Sequence, residues 1–120
     1  MLKIKRIYEE PREEDGFRIL VDKLWPRGIS KERAKLNLWA KEITPSKELR
    51  ESFCHDGEKF EDFFVGYNME LESNKYSLEF IELIKEKLNN GNVTLIYGAK
   101  DENINHARVL KAWLEEKMKG

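Results

Sequence analysis

Cysteine is almost absent from this chain, since Cys54 is the only one among its 120 residues. A single thiol excludes an intramolecular disulfide and a metal cluster held by several thiolates. The chain also has only two histidines, and they lack the HxxH or HxH spacing of common metal sites. We therefore expect no metal ion and no cofactor.

Long apolar runs and an excess of one charge are missing as well. No stretch approaches the roughly 20 apolar residues that span a bilayer, and residues 1–8 lack the apolar centre of a signal peptide. The 22 basic residues nearly balance the 23 acidic ones, whereas a nucleic-acid-binding domain normally shows a basic excess. We expect a cytoplasmic protein without membrane association, and nucleic acid is a disfavoured partner.

Two segments have the composition of buried strands. Residues 17–25 contain the apolar centre 19–21, and residues 93–97 are apolar on both faces, so we expect both strands in the interior of a sheet. Residues 2–8 alternate basic and apolar side chains, which favours an exposed edge strand or one solvated face. Residues 36–43 fit either a short strand or part of a helix.

Helices are predicted from capping residues and from apolar side chains that recur with the helical period. Ser30 is expected to cap a short helix near Lys31, and Pro45 suits the first turn of another. Three longer helices have apolar stripes: Phe60, Phe63, Phe64, Tyr67 and Leu71; Leu78, Ile81, Ile84 and Leu88; and Ala107, Leu110, Trp113 and Leu114. Strands separated by helices predict a small three-layer α/β fold in one domain, residues 1–120, with a mainly parallel sheet of about four strands covered by helices.

The turn Trp-Pro-Arg-Gly at residues 25–28 ends the second strand. Its proline fixes one backbone dihedral and Gly28 frees another, so the guanidinium of Arg27 would be held at the edge of the sheet. The guanidinium suits a carboxylate or a phosphate, and an ion pair with Asp22 is an equally weighted structural alternative. Asp22 is expected on a packed face, where a structural pair with Arg27 or Lys100 is favoured over a catalytic acid.

Polar residues also follow the strand at 93–97. Asp101 is expected to cap the next helix, and His106 would lie near the N-terminus of that helix. There the helix dipole disfavours the imidazolium, so His106 would be a neutral hydrogen-bonding group or a base. A packed histidine without a function is the more common alternative.

Cys54 and His55 superficially suggest a nucleophile beside a base. Adjacent side chains rarely face each other, so we expect Cys54 to be dispensable and Asp56 to cap the following helix. His55 is a candidate for the same rim as His106.

Several of these motifs together resemble the family named domain of unknown function 488 (DUF488), also called YeaO-like. The resemblance covers nearly the whole chain and is carried by residues 18–28, Trp39 to Ser46, Leu49, Arg50 and Phe53, His55 and Asp56, residues 94–101, and residues 105–107. Family members usually have arginine at the position of Lys23 and often proline at that of Gly57. The resemblance implies a small cytoplasmic α/β protein of bacteria or archaea, and it implies no established activity.

The polar positions of this family pattern fall just after strands or at helix starts. Parallel strands end at one edge of a sheet, where ligands bind in open α/β folds. The leading hypothesis is therefore a site for an anionic small molecule, such as a phosphate, a nucleotide or a carboxylate. The expected ligand-binding residues are Arg27, Gly28, Arg50, His55 and Lys100. An enzyme is one form of this hypothesis, with His106 as general acid or base and Asp101 or Asn105 orienting it.

We expect Arg27, Lys100 and His106 to face one cleft. The alternative to a small-molecule site is a protein-interaction module without enzymatic activity. Such a module would bind its partner through exposed tryptophans: Trp25, Trp39 and Trp113. A nucleic-acid-binding regulator is less favoured. The sequence specifies no substrate, reaction or oligomeric state.

Overall fold

A four-stranded, all-parallel sheet forms the centre of the computed structural model, which describes residues 1–53 and 59–119. The strands are β1 (Leu2–Arg6), β2 (Phe17–Leu20), β3 (Leu38–Trp39) and β4 (Val93–Tyr97). Their order across the sheet is β1-β4-β2-β3, and each neighbouring pair is parallel. The predicted small α/β fold is confirmed, with β2 and β4 in the interior and β1 at an edge.

The described residues contain five α-helices. They are α1 (Lys31–Ala34), α2 (Lys47–Phe53), α3 (Phe60–Ser73), α4 (Ser77–Leu88) and α5 (His106–Lys119). The expected cap of α1 is confirmed, because the hydroxyl of Ser30 accepts a hydrogen bond from the backbone N–H of Arg33. The ambiguous residues 36–43 form β3 followed by a 3₁₀ turn at Lys41–Ile43. Among the described residues, no helix is both long and apolar enough to cross a membrane.

The second strand is shorter than predicted. Residues 17–25 were expected to be extended, but β2 ends at Leu20 and its last backbone bond to β4 runs from Val21 N–H to the carbonyl of Ile96. The next hydrogen bond to the β4 side is made by a side chain, since the Asp22 carboxylate accepts the N–H of Gly98. The strand therefore gives way to a loop where Asp22 replaces backbone pairing.

Side chains alternate between the two faces of the sheet, and each face has its own core. Ile19, Val21, Leu95 and Tyr97 belong to the large core formed with α3, α4 and α5. Leu20 and Ile96 point the other way, into a smaller core that contains Ala34 of α1 and is flanked by the tryptophans Trp25 and Trp39. The sheet thus lies between two covering layers.

Two predicted apolar stripes need correction. In α4 the predicted Ile81 and Ile84 are buried, but Leu78 is 71% exposed and Phe80 is buried in its place, because the buried face is rotated from Leu78 toward Phe80. Phe64 is 37% exposed, although the rest of its stripe contacts the core. In α5 the predicted stripe is confirmed, and Trp113 is only 6% exposed. Trp113 is therefore not available as an exposed aromatic contact for a partner.

Candidate functional site

A cleft of about 310 Å³ lies where β2 and β4 end. Its walls are formed by α2 and the turn before it, by α3 and α5, and by the loops after the two strands. The lining residues are Asp22, Leu24, Pro45, Arg50, Phe63, Ala99 and His106. Four of these side chains are apolar and three carry ionisable groups. The cleft thus occupies the carboxyl edge of the sheet, where ligands bind in open α/β folds.

Asp22 and His106 form a contact across this cleft. His106 Nε2 lies 3.0 Å from Asp22 Oδ1 and 2.9 Å from the carbonyl oxygen of Val21. Both neighbours are acceptors, so we expect the neutral imidazole to carry its proton on Nε2 and to leave the lone pair on Nδ1. Asp22 was expected to pair with Arg27 or Lys100; the structure instead pairs it with His106, the first residue of α5.

Gly98 allows the Asp22 carboxylate to lie against β4. Its backbone N–H donates a hydrogen bond to Asp22 Oδ2 at 2.9 Å. A Cβ atom at this position would lie only 2.8 Å from the same oxygen. A glycine immediately after β4 is therefore required for the close approach, and the two oxygens of one carboxylate face β4 and α5.

Arg50 supplies the cationic group of the cleft. It lies on α2, and its Nε atom is buried without a hydrogen-bond partner among the described residues. Ser46 holds the start of α2, because its hydroxyl accepts the N–H of Leu49 and also bonds the carboxylate of Glu70 on α3. A buried guanidinium N–H without an acceptor costs free energy, which an anionic ligand would recover.

The N-terminus of α5 is capped by Asn105, and the expectation for Asp101 is corrected. Asn105 Oδ1 accepts the backbone N–H of Arg108, which is the usual N-cap geometry. Asp101 Oδ1 accepts the N–H groups of Asn103 and Ile104, so it orders the loop that precedes the helix. Asp101 or Asn105 was expected to orient His106, but the neighbours of its Nε2 atom are the carbonyl oxygen of Val21 and the carboxylate of Asp22.

Arg27 and Lys100 are exposed and do not line the cleft, so the expected convergence with His106 is not found. The turn at residues 25–28 packs on the opposite face of the sheet, where Trp25 meets Trp39 edge-on at 5.3 Å between ring centroids. The backbone carbonyl of Arg27 accepts the hydroxyl of Tyr8 on that side. The sequence indicated the correct edge, but it did not show on which face of the sheet the Arg27 turn would fold.

The remaining residues singled out in the sequence lie in the Arg27 turn, outside the described residues, or in the cleft itself. Gly28 adopts a φ of 82°, the left-handed conformation expected of a turn glycine, in the same turn as Arg27. Cys54, His55 and Asp56 lie outside the described residues, and their roles stay predictions. Pro45 and Phe63 were predicted only as a helix start and a core residue, and they prove to line the cleft as well.

Comparison with known proteins identifies the family. The model of the family described as the inactive DUF488-N3 subclade (DUF488-N3i) matches residues 1–120. The uncharacterized protein YeaO of Escherichia coli (strain K12) is 42% identical over 113 residues, which cover 94% of this chain and 96% of YeaO. The uncharacterized protein Mb3100c of Mycobacterium bovis is 35% identical over 109 residues, which cover 91% and 89% of the two chains. No solved structure matches the chain significantly. The chain belongs to the DUF488 (YeaO-like) family.

Proposed function

We propose that this protein binds a small anionic molecule, such as a phosphate, a nucleotide or a carboxylate, in the cleft at the carboxyl edge of its sheet. The observation that carries the proposal is the buried Nε atom of Arg50, which faces no acceptor among the described residues. A ligand oxygen would satisfy that donor, and the guanidinium would supply the opposite charge. Arg50 is thus the main anion contact, in place of Arg27 and Lys100.

His106 gives the site a second polar contact. Its Nε2 atom is occupied by Val21 and Asp22, which leaves Nδ1 as the ring nitrogen for a ligand. Nδ1 accepts a hydrogen bond from a ligand hydroxyl when the ring is neutral, and it donates to a ligand oxygen when the ring is protonated. The same site therefore suits a ligand that carries a hydroxyl beside its anionic group.

The walls limit the size of the ligand. About 310 Å³ is at the lower end of the range for small-molecule pockets. The apolar side chains of Leu24, Pro45 and Phe63 would pack against a small apolar portion of the ligand. A compact molecule with one anionic end fits this arrangement better than a long polyanion.

Binding is preferred here over catalysis. The matched subclade is described as inactive, which favours recognition without turnover. The enzymatic form of the proposal retains His106 as acid or base, with Asp22 holding the ring. It predicts that His106→Gln abolishes turnover of a ligand that the variant still binds.

Protection against thermal unfolding tests the binding proposal. Inorganic phosphate, adenosine monophosphate and citrate are titrated at constant ionic strength, since a ligand at about 100 times its Kd stabilises the fold by roughly 2.7 kcal/mol. We expect at least one of them to protect the unaltered protein and Arg50→Gln to raise its apparent Kd about tenfold or more. Arg27→Gln and Lys100→Gln are matched controls that remove the same charge outside the cleft. Equal losses in all three variants, or no protection of the unaltered protein, would contradict the proposal.

A further inference from the structure

A second depression, distinct from the cleft, lies between α4 and the edge strand β3. Its volume is about 640 Å³, and it shares no lining residue with the cleft. The floor is apolar and is formed by Leu38, Ala40, Phe80 and Leu83, together with Ile43. We call this depression the acidic groove because of the charges on its rim.

The rim carries four carboxylates. Glu79, Glu82 and Glu86 lie on one side of α4 at spacings of three and four residues, and Glu42 lies on the opposite wall. These spacings place the three helical carboxylates in a row that extends about 10 Å along α4. No lysine or arginine is among the described residues that line the groove. Glu82 lies 4.0 Å from Lys85, which is outside the lining, so the negative charge of the rim is carried mainly by Glu42, Glu79 and Glu86. An apolar floor with this acidic rim is complementary to a partner with apolar and basic side chains.

The strand beside the groove is open on its outer side. Among the described residues, β3 pairs only with β2, through Ile19 with Leu38 and Leu20 with Trp39. An unpaired strand edge is a template for an additional strand. Leu38 and Ala40 alternate along the chain and both contribute to the floor, which is the face that α4 covers. An added strand would present every second side chain to this floor and its glutamates.

We propose that the acidic groove binds an extended segment of a partner protein in which every second residue faces the groove, and in which these groove-facing residues are alternately apolar and basic (lysine or arginine). The segment would add to the open edge of β3 by backbone hydrogen bonds, and its basic residues would contact the α4 glutamates. This interaction is independent of the small-molecule site, because none of the groove residues lines the cleft.

A peptide binding experiment tests the charge requirement. The probe is a fluorescein-labelled peptide of about eight residues, an ordinary strand length, in which the groove-facing residues are alternately valine and lysine and threonine occupies the positions between them. Anisotropy is measured in about 50 mM salt, where exposed charges are weakly screened. We expect Glu79→Lys/Glu86→Lys to weaken binding at least tenfold, because reversal places like charges together. Glu61→Lys/Glu116→Lys makes the same change in net charge on exposed positions elsewhere and should bind like the unaltered protein.

Two further probes test the mode and the occupant. A peptide with glutamate in place of lysine should not bind measurably. Two further peptides are N-methylated, one at the odd-numbered residues and one at the even-numbered residues. Only one of them should lose binding, since the N–H groups of alternate residues point to opposite edges and only one edge would pair with β3. Equal binding of the charge-reversed peptide, no loss in Glu79→Lys/Glu86→Lys, or tolerance of both methylated peptides would overturn the proposal. Self-association of the unaltered protein that Glu79→Lys/Glu86→Lys abolishes would assign the groove to a second copy and would also overturn it. Circular dichroism of each variant confirms that it is folded.

Discussion

The carboxylate of Asp22 lies 3.0 Å from the imidazole of His106 and also accepts the backbone N–H of Gly98. Asp22 follows β2, Gly98 follows β4, and His106 begins α5. One side chain therefore links three elements at the edge of the sheet where the cleft lies. The position of His106 relative to Arg50, on the other wall, depends on this link.

This contact predicts the tautomer of His106. Val21 O and Asp22 Oδ1 are both acceptors close to Nε2, so the neutral ring should carry its proton on Nε2. We expect the ¹⁵N chemical shifts of the ring at alkaline pH to show a protonated Nε2 and an unprotonated Nδ1. The chain contains only two histidines, and His55→Gln leaves the signals of His106 alone. A proton on Nδ1 would contradict the geometry of the site.

Substitution of Gly98 tests how closely the carboxylate is held. In Gly98→Ala the new Cβ would lie 2.8 Å from Asp22 Oδ2, so we expect the carboxylate to shift and its contacts with the N–H of residue 98 and the ring of His106 to weaken. We expect a loss of about 1–3 kcal/mol in the free energy of unfolding, and a changed spectrum of His106.

Gly66→Ala is the matched comparison. Its Cβ would also meet an atom at 2.8 Å, but that atom is a methyl group of Leu49, which can rotate away. Gly66 lies inside α3, where alanine is favoured over glycine by roughly 0.5–1 kcal/mol. Gly66→Ala should therefore cost less than Gly98→Ala or stabilise the protein. Urea unfolding of both variants decides the order, and a larger loss at Gly66 would refute the interpretation.

A buried ionic cluster lies at the other end of the sheet. Asp15 is 2% exposed, and its carboxylate contacts Lys5 at 3.0 Å and Arg18 at 2.6 Å. Burial by itself raises the pKa of Asp15, but the hydrogen bonds from the Arg12 backbone and from the Lys5 and Arg18 side chains outweigh burial and lower it. Arg18 also donates to the carbonyl of Ala34, so the cluster connects β2 to α1.

The lowered pKa of Asp15 makes the stability depend on acid pH. Since its folded-state pKa lies below the ordinary value of 3.8, the stabilisation is present above that pH and is lost as pH falls through the folded-state pKa. Asp15→Asn should cost about 3–5 kcal/mol at neutral pH, because it leaves buried cations without their counter-ion. The difference from the unaltered protein should shrink below about pH 4. Unfolding by urea from pH 7 to pH 2 measures both effects, and Glu13→Gln, an exposed carboxylate in the same turn, should show neither.

Local features of the chain were predictable because local forces determine them. The strand at residues 93–97, the cap at Ser30 and the stripe of α5 all follow from side chains within a few residues of each other. In α4, Ile81 and Ile84 were predicted correctly, but Leu78 was taken as buried in place of Phe80, since both are apolar and only tertiary packing selects between them.

The pairing of residues far apart in the chain was not predictable to the same degree. Sequence alone marked Asp22 as an ionisable residue that needs a partner, but Arg27, Lys100 and His106 were all compatible with one edge of a parallel sheet. The partner of Asp22 is determined by the direction of the turn after β2, because this turn carries Arg27 to the face of the smaller core. Arg50 was marked by the family resemblance, and its buried Nε atom became visible only in the folded chain.

Tyr67 anchors the wall of the cleft to the turn before α2. Its side chain is fully buried, and its hydroxyl donates a 2.6 Å hydrogen bond to the carbonyl of Ile43, close in sequence to Pro45. Tyr67→Phe leaves this buried carbonyl without its donor, and we expect a loss of about 1–3 kcal/mol in the free energy of unfolding at neutral pH. Tyr76→Phe, which changes a tyrosine that is 41% exposed, should cost much less.

The alkaline pH dependence provides a second readout for Tyr67→Phe. Burial, followed by the negative charges of Glu70 and Asp22, raises the pKa of Tyr67 well above 10.0. A raised folded-state pKa means that its contribution is complete below about pH 10 and is lost as the pH rises further, because the phenol then ionises in the unfolded chain first. Tyr67→Phe should therefore lose less stability between pH 9 and pH 11 than the unaltered protein. Some alkaline sensitivity should remain, since burial also raises the pKa of Tyr97. Parallel urea unfolding curves at each pH test this, and an undiminished alkaline loss in Tyr67→Phe would show that the buried phenol does not contribute as described.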